Sequence, residues 1–585
     1  MTEPESKSLA IHIRVPEATV ELRHALRLLQ LPAGTSLAEN GPFAATVTLG
    51  ARPTEASLPE VSLPQSEEGF AVVHGTGDCL HMVSGSAHGL ANCLYELRHK
   101  LLMSRDRALG TRELLPEGEH APRFRQRDFY HFLSPWRLQH LSCDSFTLEE
   151  WKTHLERMRA LNANRMYFDI WSNQYFHPDC AETAHNQALY DRLKAVCDYA
   201  HELGLRTGVY LFPAQVPVSV YLSHPGARAA EAANYHGINA CPSNGWEHIV
   251  KFDAFLLQYF GSSLNDVVVE MQDPGSCLCR DCCRSFPEII LRFIDTYREV
   301  SADCPDRRID LCTLHFRDWL EEPAGDTGVA FPIKRLRKTV FSRLAPGTTL
   351  IDIDEATLNL GRQMGLNANY FFFDLDPESG LENRQVFPRV KLSRIEQQLR
   401  DSCEQGHDGI TAYRMMPLVQ FPADYVLFRK CWDPNLELGT ALEELAGEYG
   451  LAVEDRAGFK QAMLGLDAWW EQADLDALKS VHAALQALRS SCQNRHFICL
   501  CDLIAVLHPL ARYLMENRSR VNEPDFYPPE DLVRATRNRM IGTHIFEAYT
   551  VNQHWVLRST EVIGQRIRWW LQGIAREVGL TGSVS

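Results

Sequence analysis

The chain has 585 residues, 45% hydrophobic and 23% charged, which is the composition of a globular protein with about two to four domains. Its formal net charge of -16 argues against a general nucleic-acid or acidic-membrane surface, because polyanion binding draws on clustered Lys and Arg. No stretch reaches the roughly 18 apolar residues of a membrane span, and no secretion signal opens the chain. With 17 scattered cysteines, we expect a cytoplasmic protein without nucleic-acid or membrane partners.

The first part of the chain alternates predicted strands and helices. Residues 9–16 predict a strand, and residues 19–30 repeat apolar side chains at helical spacing. Two more strands are predicted at 45–51 and 69–77, and residues 79–102 predict a strand, a small-residue turn and a helix. The Gly-Ser turn leading into AHGLANCLYELRHKL resembles the end of the small α/β domain that precedes the barrel in glycoside hydrolases of families 20, 67 and 84. No single family is matched.

From Arg123 onward, short strand-like runs alternate with helical patterns, which predicts parallel strands joined by crossover helices. Eight such runs occur, and eight strands close a (β/α)8 barrel, the TIM barrel. The runs begin at Arg123, Arg165, Arg206, Asp266, Arg308, Thr349, Ala368 and Gly409.

Two signals mark helix ends inside the barrel, and a change of pattern marks its own end. Thr147 and Glu150 form a capping-box pattern ahead of an apolar helical face, and Gly204 stands where a helix should stop. After residue 440 the chain is nearly all helical, which resembles the tail of family 67 enzymes. We therefore predict a small α/β domain at 1–118, a catalytic barrel at 119–435 and an α-helical domain at 436–585.

Paired tryptophans stand out in the predicted helical domain. We expect these side chains in its core or at an interface rather than in a sugar groove, because large aromatic residues of helical domains usually pack. The residues are Trp469, Trp470, Trp569 and Trp570. Homo-oligomers are expected to form through this domain.

The stretch VVVEMQDPGSCLCRDCC, residues 267–283, ends the fourth barrel strand. Polar residues there are informative because barrels of this kind build their ligand sites at the C-terminal ends of the strands. Side chains of a strand alternate between its faces, so Val267 and Val269 should meet the helices while Glu270 points inward and Asp273 lies on the rim. Burial favours a protonated carboxyl, which makes Glu270 the first candidate for a general acid and Asp273 the second.

Other strand ends add acids and aromatic side chains. On strand six, alternation groups Asp352 with Asp354 and puts Glu355 on the other face unless a bulge turns it inward; on strand seven, Asp374 and Asp376 share a face. Asp354, Glu355 and Asp374 are thus further catalytic candidates. The substrate-binding candidates are Trp136, Arg137, Asp169, Trp171, Tyr210, His315, Asp376, Tyr413 and Arg414.

Paired carboxylates among aromatic residues are what glycoside hydrolysis needs. One acid protonates the leaving oxygen, and the other activates water, attacks the anomeric carbon or stabilises positive charge. The resemblance to family 67 implies an acid from strand four and water-activating groups from later strands, which matches Asp354 and Asp374 without a residue-by-residue transfer. Strand four lacks the His-x-Gly-x-Asp-Glu segment of family 20. The adjacent Asp354 and Glu355 stand on strand six, so substrate-assisted chemistry on an N-acetyl sugar stays open.

The cysteines after strand four follow the pattern C-x-C-x-x-C-C. A structural zinc ion usually takes two ligands from one short cysteine turn, called a knuckle, and two from a second. A second knuckle is missing, so Cys241 in the preceding loop is the remote partner, either as a fourth ligand beside Cys277, Cys279 and Cys282 or as half of a disulfide. Buried thiols that brace the loop, structural zinc and a disulfide stay open, and no catalytic cofactor is expected. The motif also resembles the Asp-x-Gly-Gly-Cys-x-Cys-x-x-Cys segment of uncharacterised barrel proteins with a family 20 type N-terminal domain.

The sequence therefore predicts an exo-acting glycoside hydrolase that releases a terminal hexosaminide-like or uronide-like sugar from short oligosaccharides or glycosides. One alternative is a metal-dependent barrel isomerase or lyase with Asp169, His315 and the strand-six acids as ligands. Such sites usually need two or more histidines, and only His131 and His315 stand near strand ends. The other alternative is a non-catalytic carbohydrate-binding protein.

Overall fold

A computed structural model describes most of the chain. The described residues form two sheets with flanking helices. The described residues are 9–14, 17–29, 35–38, 44–49, 62–75, 79–104, 111–133, 146–229, 240–270, 277, 279–314, 338–372, 387–414, 419–521, 523, 525–541 and 560–580.

The N-terminal region is a six-stranded sheet covered by helices. Its strands are β1 (Leu9–Arg14), β2 (Thr35–Ala38), β3 (Ala44–Leu49), β4 (Phe70–His74), β5 (Cys79–Ser84) and β6 (Gly118–His120), and its helices are α1 (Val20–Leu29), α2 (Ala87–Ser104) and α3 (Thr111–Leu114). The strand order is β2-β1-β3-β5-β4-β6, with β1 and β2 parallel and the other neighbours antiparallel. Leu22 of α1 and Leu90 of α2 join Ile11, Val47 and Phe70 in a core of their own.

Eight parallel strands close into a barrel, which confirms the predicted fold class and all eight predicted strands. Neighbours in the chain are neighbours around the barrel, and the last strand, β14, pairs with the first, β7. The strands are β7 (Gln126–His131), β8 (Arg165–Asp169), β9 (Arg206–Leu211), β10 (Asp266–Glu270), β11 (Arg308–Cys312), β12 (Thr349–Asp352), β13 (Asn367–Phe372) and β14 (Gly409–Arg414).

Helices surround the barrel, and both predicted helix signals are confirmed. They are α4 (Leu148–Ala160), α5 (Gln187–Glu202), α6 (Val218–Ser223), α7 (Pro242–Phe260), α8 (Arg280–Arg284), α9 (Phe286–Val300), α10 (Glu355–Gln363), α11 (Leu392–Gln405) and α12 (Phe421–Trp432). At the start of α4, the Glu150 amide donates to Thr147 Oγ1 at 3.3 Å and the Thr147 amide donates to Glu150 Oε2 at 2.7 Å. Gly204, just beyond α5, has φ 76°. A side chain there would also meet Glu21 of the N-terminal region, since a Cβ would lie 2.7 Å from its Oε2.

Polar side chains fill the N-terminal end of the barrel interior. Asp266 accepts hydrogen bonds from Arg206 Nη2 at 2.8 Å and Arg308 Nε at 3.0 Å, and Asn369 donates to Asp128 Oδ2 at 2.8 Å. Buried charges are stable when paired and hydrogen-bonded in this way. This layer ties five strands together beneath the C-terminal end, where barrels carry their sites.

The C-terminal region is helical and shares a continuous hydrophobic core with the barrel. Its described helices are α13 (Leu438–Glu448), α14 (Val453–Gln472), α15 (Leu475–Arg489), α16 (Arg495–Glu516), α17 (Glu530–Ile541) and α18 (Thr560–Glu577). Trp469, Trp470 and Trp570 are buried in that core, as predicted, and the Trp470 indole donates to Pro388 O at 2.8 Å.

One described helix, α16, is long and apolar enough to cross a membrane by length and composition, with a mean hydropathy of 1.6. In the fold, however, 67% of its apolar window is buried against the rest of the protein. Buried helices in the core of a large protein have the same composition, because they are apolar on every face.

Candidate active site

Glu270 closes β10 at the C-terminal end of the barrel. Its side chain is 4% exposed, and its backbone lies beside Cys312 of β11. The carboxylate contributes to raising the pKa values of three buried neighbours, Asp169, Tyr130 and Tyr210, and burial is the larger cause in each case. Glu270 therefore shares a low-dielectric compartment with an aspartate and two tyrosines from three other strands.

Asp169 ends β8 and is fully buried. Its Oδ1 accepts the Leu133 amide at 2.5 Å, and its Oδ2 accepts the Trp171 indole N–H at 2.5 Å and the Tyr130 hydroxyl at 3.3 Å. Burial raises the pKa of Asp169 to about 7, although the donated hydrogen bonds oppose the shift. This carboxyl can hold or release a proton near neutral pH, and it fixes the orientation of the Trp171 ring.

Aromatic rings line the same end of the barrel. Tyr130 and Tyr210 stack with centroids 4.0 Å apart, and Tyr413 meets Tyr130 edge-on at 5.4 Å. Trp171 packs against Phe132 at 5.1 Å and Phe212 at 5.0 Å. No described group forms a hydrogen bond with the buried Tyr210 hydroxyl. Rings of this kind offer apolar faces to the C–H faces of sugars. Tyr130, Phe132 and Phe212 are not among the predicted site residues, although 130 and 132, and 210 and 212, keep the two-residue spacing of one strand face.

The acids of strand six support the turn between β12 and α10. Asp354 is the N-cap of α10, and its Oδ2 accepts the Thr357 amide at 3.1 Å and the Thr357 hydroxyl at 2.5 Å. Asp352 is buried and accepts the amides of Ile353 at 2.7 Å and Asp354 at 3.0 Å, together with the Thr313 hydroxyl. These bonds satisfy backbone donors that a helix start leaves open.

Side-chain contacts show which face of strand six points into the barrel. Thr349 reaches Gln126 Nε2 across the barrel at 3.1 Å, so Thr349 and Ile351 form the inward set. Leu350 faces α10, where its Cδ2 would lie 2.6 Å from a Cβ on Gly361. Asp352 therefore lies on the face of β12 opposite to Thr349 and Ile351.

Glu355 is placed against the helix layer. Its Oε2 lies 3.0 Å from His407 Nε2, and the His407 ring stacks on Tyr370 at 6.2 Å. Burial raises the pKa of Glu355, with Asp401 and Asp354 adding to the shift. The described contacts thus separate Glu355 from the Glu270–Asp169 compartment.

Two further strand-end candidates face away from the mouth. Arg414 of β14 forms a buried ion pair with Asp424 of α12 and donates to its neighbour's carbonyl, so it braces the outside of the strand. His131 of β7 lies 2.7 Å from His154 of α4, ring nitrogen to ring nitrogen, and burial lowers the pKa of both. A pair of this kind is part of the core between barrel and helices.

Several predicted site residues fall outside the described residues. They are Trp136, Arg137, Asp273, His315, Asp374 and Asp376. Of the candidates that are described, Glu270, Asp169, Trp171, Tyr210 and Tyr413 come together at the C-terminal end of the barrel.

The cysteine motif forms a compact cluster beside this end. The sulfur atoms of Cys241, Cys277, Cys279 and Cys282 all lie within 4.8 Å of one another. Within the described ranges, this is the one group of three or more Cys, His, Asp or Glu side chains with metal-ligand spacing. None of the four forms a disulfide. The side chain of Cys283 is outside the described residues.

A cavity of ≈ 700 Å³ lies at the opposite end of the barrel. It is lined by residues that include His120, Arg123, Cys403 and Trp432, none of them a predicted site residue. Cavities at the N-terminal face of such barrels bear on stability rather than catalysis.

Similarity to solved structures agrees with this architecture. No protein-family profile and no curated protein matches the chain. The fold is similar to that of a GH138 enzyme targeting pectin rhamnogalacturonan II, with a TM-score of 0.52, 10% identity, and coverage of 81% of this chain and 67% of that one. A GH20 exo-β-N-acetylglucosaminidase from Vibrio harveyi, in complex with N-acetylglucosamine, aligns with a TM-score of 0.43, 11% identity, and coverage of 78% and 76%. The likeness to the GH138 enzyme is one of fold.

Proposed function

We propose that the protein is an exo-acting glycoside hydrolase that releases a terminal sugar, of the hexosaminide or uronide type, from short oligosaccharides or glycosides. The observation that carries the proposal is Glu270, a buried carboxylate at the C-terminal end of the fourth barrel strand, coupled to Asp169 and surrounded by aromatic rings. Barrel enzymes perform their chemistry at this end. The fold of the GH138 neighbour supports the same general class.

Glu270 is the proposed general acid. It has slight exposure, whereas Asp169 has none, so Glu270 is the member of the pair that a glycosidic oxygen can reach. Burial raises the pKa of Asp169 to about 7, with the Glu270 charge adding to the shift, so this compartment holds a proton near neutral pH.

The second catalytic carboxylate is proposed from the sequence. Asp273 follows Glu270 on the same strand end, and Asp374 follows the seventh strand. Asp354 and Glu355 are weaker choices, because one caps α10 and the other faces His407. Asp273 or Asp374 would activate water, attack the anomeric carbon or stabilise a participating group.

Trp171 and Tyr413 are the proposed sugar-contacting rings. Asp169 holds the Trp171 indole through its N–H, and the Phe132 and Phe212 rings pack against it with centroids 5.1 Å and 5.0 Å away. A ring that is fixed before binding loses little conformational entropy when a sugar stacks on it.

A cytoplasmic location is proposed with the activity. Every cysteine whose side chain the structure describes is outside a disulfide, which supports a reducing compartment. An enzyme there meets imported fragments rather than polymers, which favours action on chain ends.

Self-association through the helical region is a separate proposal that light scattering of the purified chain would test.

The test is hydrolysis of a panel of chromogenic glycosides by the wild type, Glu270→Gln and a control, Glu288→Gln. Glu288 is exposed on α9, so its substitution should leave turnover unchanged. Glu270→Gln keeps the shape of the side chain but cannot transfer a proton, and we expect turnover to fall about 10²- to 10⁴-fold.

Unchanged turnover in Glu270→Gln, with the fold intact by circular dichroism, would remove Glu270 from the mechanism. Sugar binding by the wild type without release of product from any glycoside would favour a carbohydrate-binding protein instead. A chelator that abolishes product formation would favour the metal-dependent alternative if a divalent cation restores the activity. The cysteine cluster must be intact in the protein used for this test.

A further inference from the structure

Four cysteines from two separate segments converge at one point. Cys241 is the N-cap of α7, while Cys277, Cys279 and Cys282 follow β10 and enter α8. The sulfur of Cys241 lies 3.8 Å from that of Cys279 and 3.6 Å from that of Cys282. The fold therefore supplies, from 38 and 41 residues away, the partner that the single cysteine motif lacks.

These distances match a tetrahedral thiolate site. Four sulfurs at about 2.3 Å from a zinc ion are separated from one another by about 3.8 Å. The separations of 3.8 Å and 3.6 Å are close to that value, and no pair in the cluster exceeds 4.8 Å. A disulfide requires about 2.05 Å between sulfurs, and none of the four cysteines forms one.

Donors around the sulfur atoms favour negative charge on them. The Cys279 amide points at Cys277 Sγ at 3.5 Å, the Cys282 amide points at Cys279 Sγ at 3.4 Å, and Ser243 Oγ lies 3.1 Å from Cys282 Sγ. Cys241 is the N-cap residue of α7, where the first backbone amides of the helix lack partners within the helix. Amide and hydroxyl donors of this kind form the outer shell that orients metal-binding thiolates.

We propose that Cys241, Cys277, Cys279 and Cys282 bind a structural zinc ion. A site with four protein sulfurs has no open position for water or substrate, so the ion is structural rather than catalytic. It joins the connection before α7 to the connection after β10, two successive strand-to-helix connections at the C-terminal end of the barrel. The ion thereby restrains the chain that follows Glu270, independently of whether the protein hydrolyses glycosides.

The first experiment measures metal in the purified full-length protein by inductively coupled plasma mass spectrometry. We expect about one zinc ion per chain, retained through dialysis against a weak chelator. Cys241→Ala and Cys282→Ala should lose the zinc. Cys197→Ala is the matched control, because Cys197 is equally buried but lies in α5, outside the cluster.

The second experiment replaces zinc with cobalt. A four-thiolate site should give intense d–d bands and thiolate-to-cobalt charge-transfer bands, and these should vanish in Cys241→Ala and persist in Cys197→Ala. Removal of the metal should lower the melting temperature of the wild type but leave that of Cys241→Ala unchanged.

Several results would overturn the proposal. Metal-free protein that melts at the same temperature with and without added zinc would show that the thiols only pack together. A disulfide between any two of the four cysteines in freshly purified protein would show that the site does not bind zinc. Iron in the purified protein in place of zinc would show that the site binds another metal. Each of these readouts is independent of enzymatic activity.

Discussion

Asp169 is a residue whose protonation depends on the fold. Burial raises its pKa to about 7, far above the value of about 3.9 in an unfolded chain. Between these two values the folded state binds a proton that the unfolded state does not bind. The contribution of Asp169 to the free energy of unfolding is therefore fully present below about pH 4 and is lost as the pH rises through about 7.

Asp169→Asn should flatten this pH dependence. The amide cannot ionise. The variant therefore lacks the contribution to the free energy of unfolding that, in the wild type, falls by about 1.4 kcal/mol per pH unit between the two pKa values. Urea unfolding at pH 5, 6, 7 and 8 would measure it, with the exposed Asp281→Asn as control. Parallel curves for Asp169→Asn and the wild type would contradict the raised pKa.

Residue-level prediction worked where a strand is regular up to its end. Val267 and Val269 are apolar and Glu270 is the single acid on β10 above Asp266, so alternation alone places Glu270 inside. Alternation is less informative on β12, because that strand is only four residues long and the chain turns immediately into α10. Asp354 carries a capping signal, because Asp is a preferred N-cap residue and the amide three residues on, at Thr357, is the donor that it accepts.

At the scale of elements, the start of α4 shows what a correctly predicted cap contributes. Thr147 and Glu150 satisfy each other's backbone amides at a helix start that leaves four donors without partners in the helix. Trp151 and Leu155, on the face that follows, are buried against the barrel. The cap therefore fixes where a core-facing helix begins.

Thr147→Ala should lower the free energy of unfolding by about 1 kcal/mol. Glu150→Gln is the matched control, because Gln still accepts the Thr147 amide and should cost much less. Equilibrium unfolding in urea would compare the two. Equal destabilisation would mean that the charge of Glu150, rather than the reciprocal hydrogen bonds, supports the helix start.

Elements were predictable in proportion to their length. All eight barrel strands carry apolar runs that end at turns, and each was predicted within a few residues of its observed bounds. β2 (TSLA) and β6 (GEH) were not predicted, because neither short segment carries an apolar run. The convergence of Cys241 with the later cysteines was only one of several open pairings, since contacts between distant segments depend on how the elements are assembled.

At the scale of the whole molecule, buried arginines connect the three regions. Arg127 of β7 donates to Glu68 at 2.9 Å, and Arg159 of α4 donates to Glu21 at 2.8 Å, both across the boundary with the N-terminal region. Arg429 of α12 has partners in both flanking regions. The hydrophobic core of the N-terminal region is a cluster distinct from that of the barrel but includes Ala160 of α4 and Trp432 of α12, so these ion pairs act beside apolar contacts at the boundary.

Arg429 offers the strictest test of that connection. Its Nε donates to Glu444 Oε2 at 2.8 Å and its Nη2 donates to Glu96 Oε2 at 3.1 Å, so Arg429→Met would leave two carboxylates without their shared cation. Breaking a buried pair costs about 3–5 kcal/mol, whereas an exposed pair contributes about 0.2–1 kcal/mol. Arg27→Met is the control, because Arg27 pairs with Glu156 while 63% of its side chain is exposed.

We expect thermal unfolding of the wild type and Arg27→Met to show one cooperative transition, since the regions are held together by desolvated contacts. Arg429→Met should unfold in two steps, the N-terminal region melting first, because it keeps its own core but loses a contact that couples it to the rest. Differential scanning calorimetry would resolve the two transitions. A single transition in Arg429→Met, shifted no further than in Arg27→Met, would show that the apolar contacts across the boundary suffice without the ion pair.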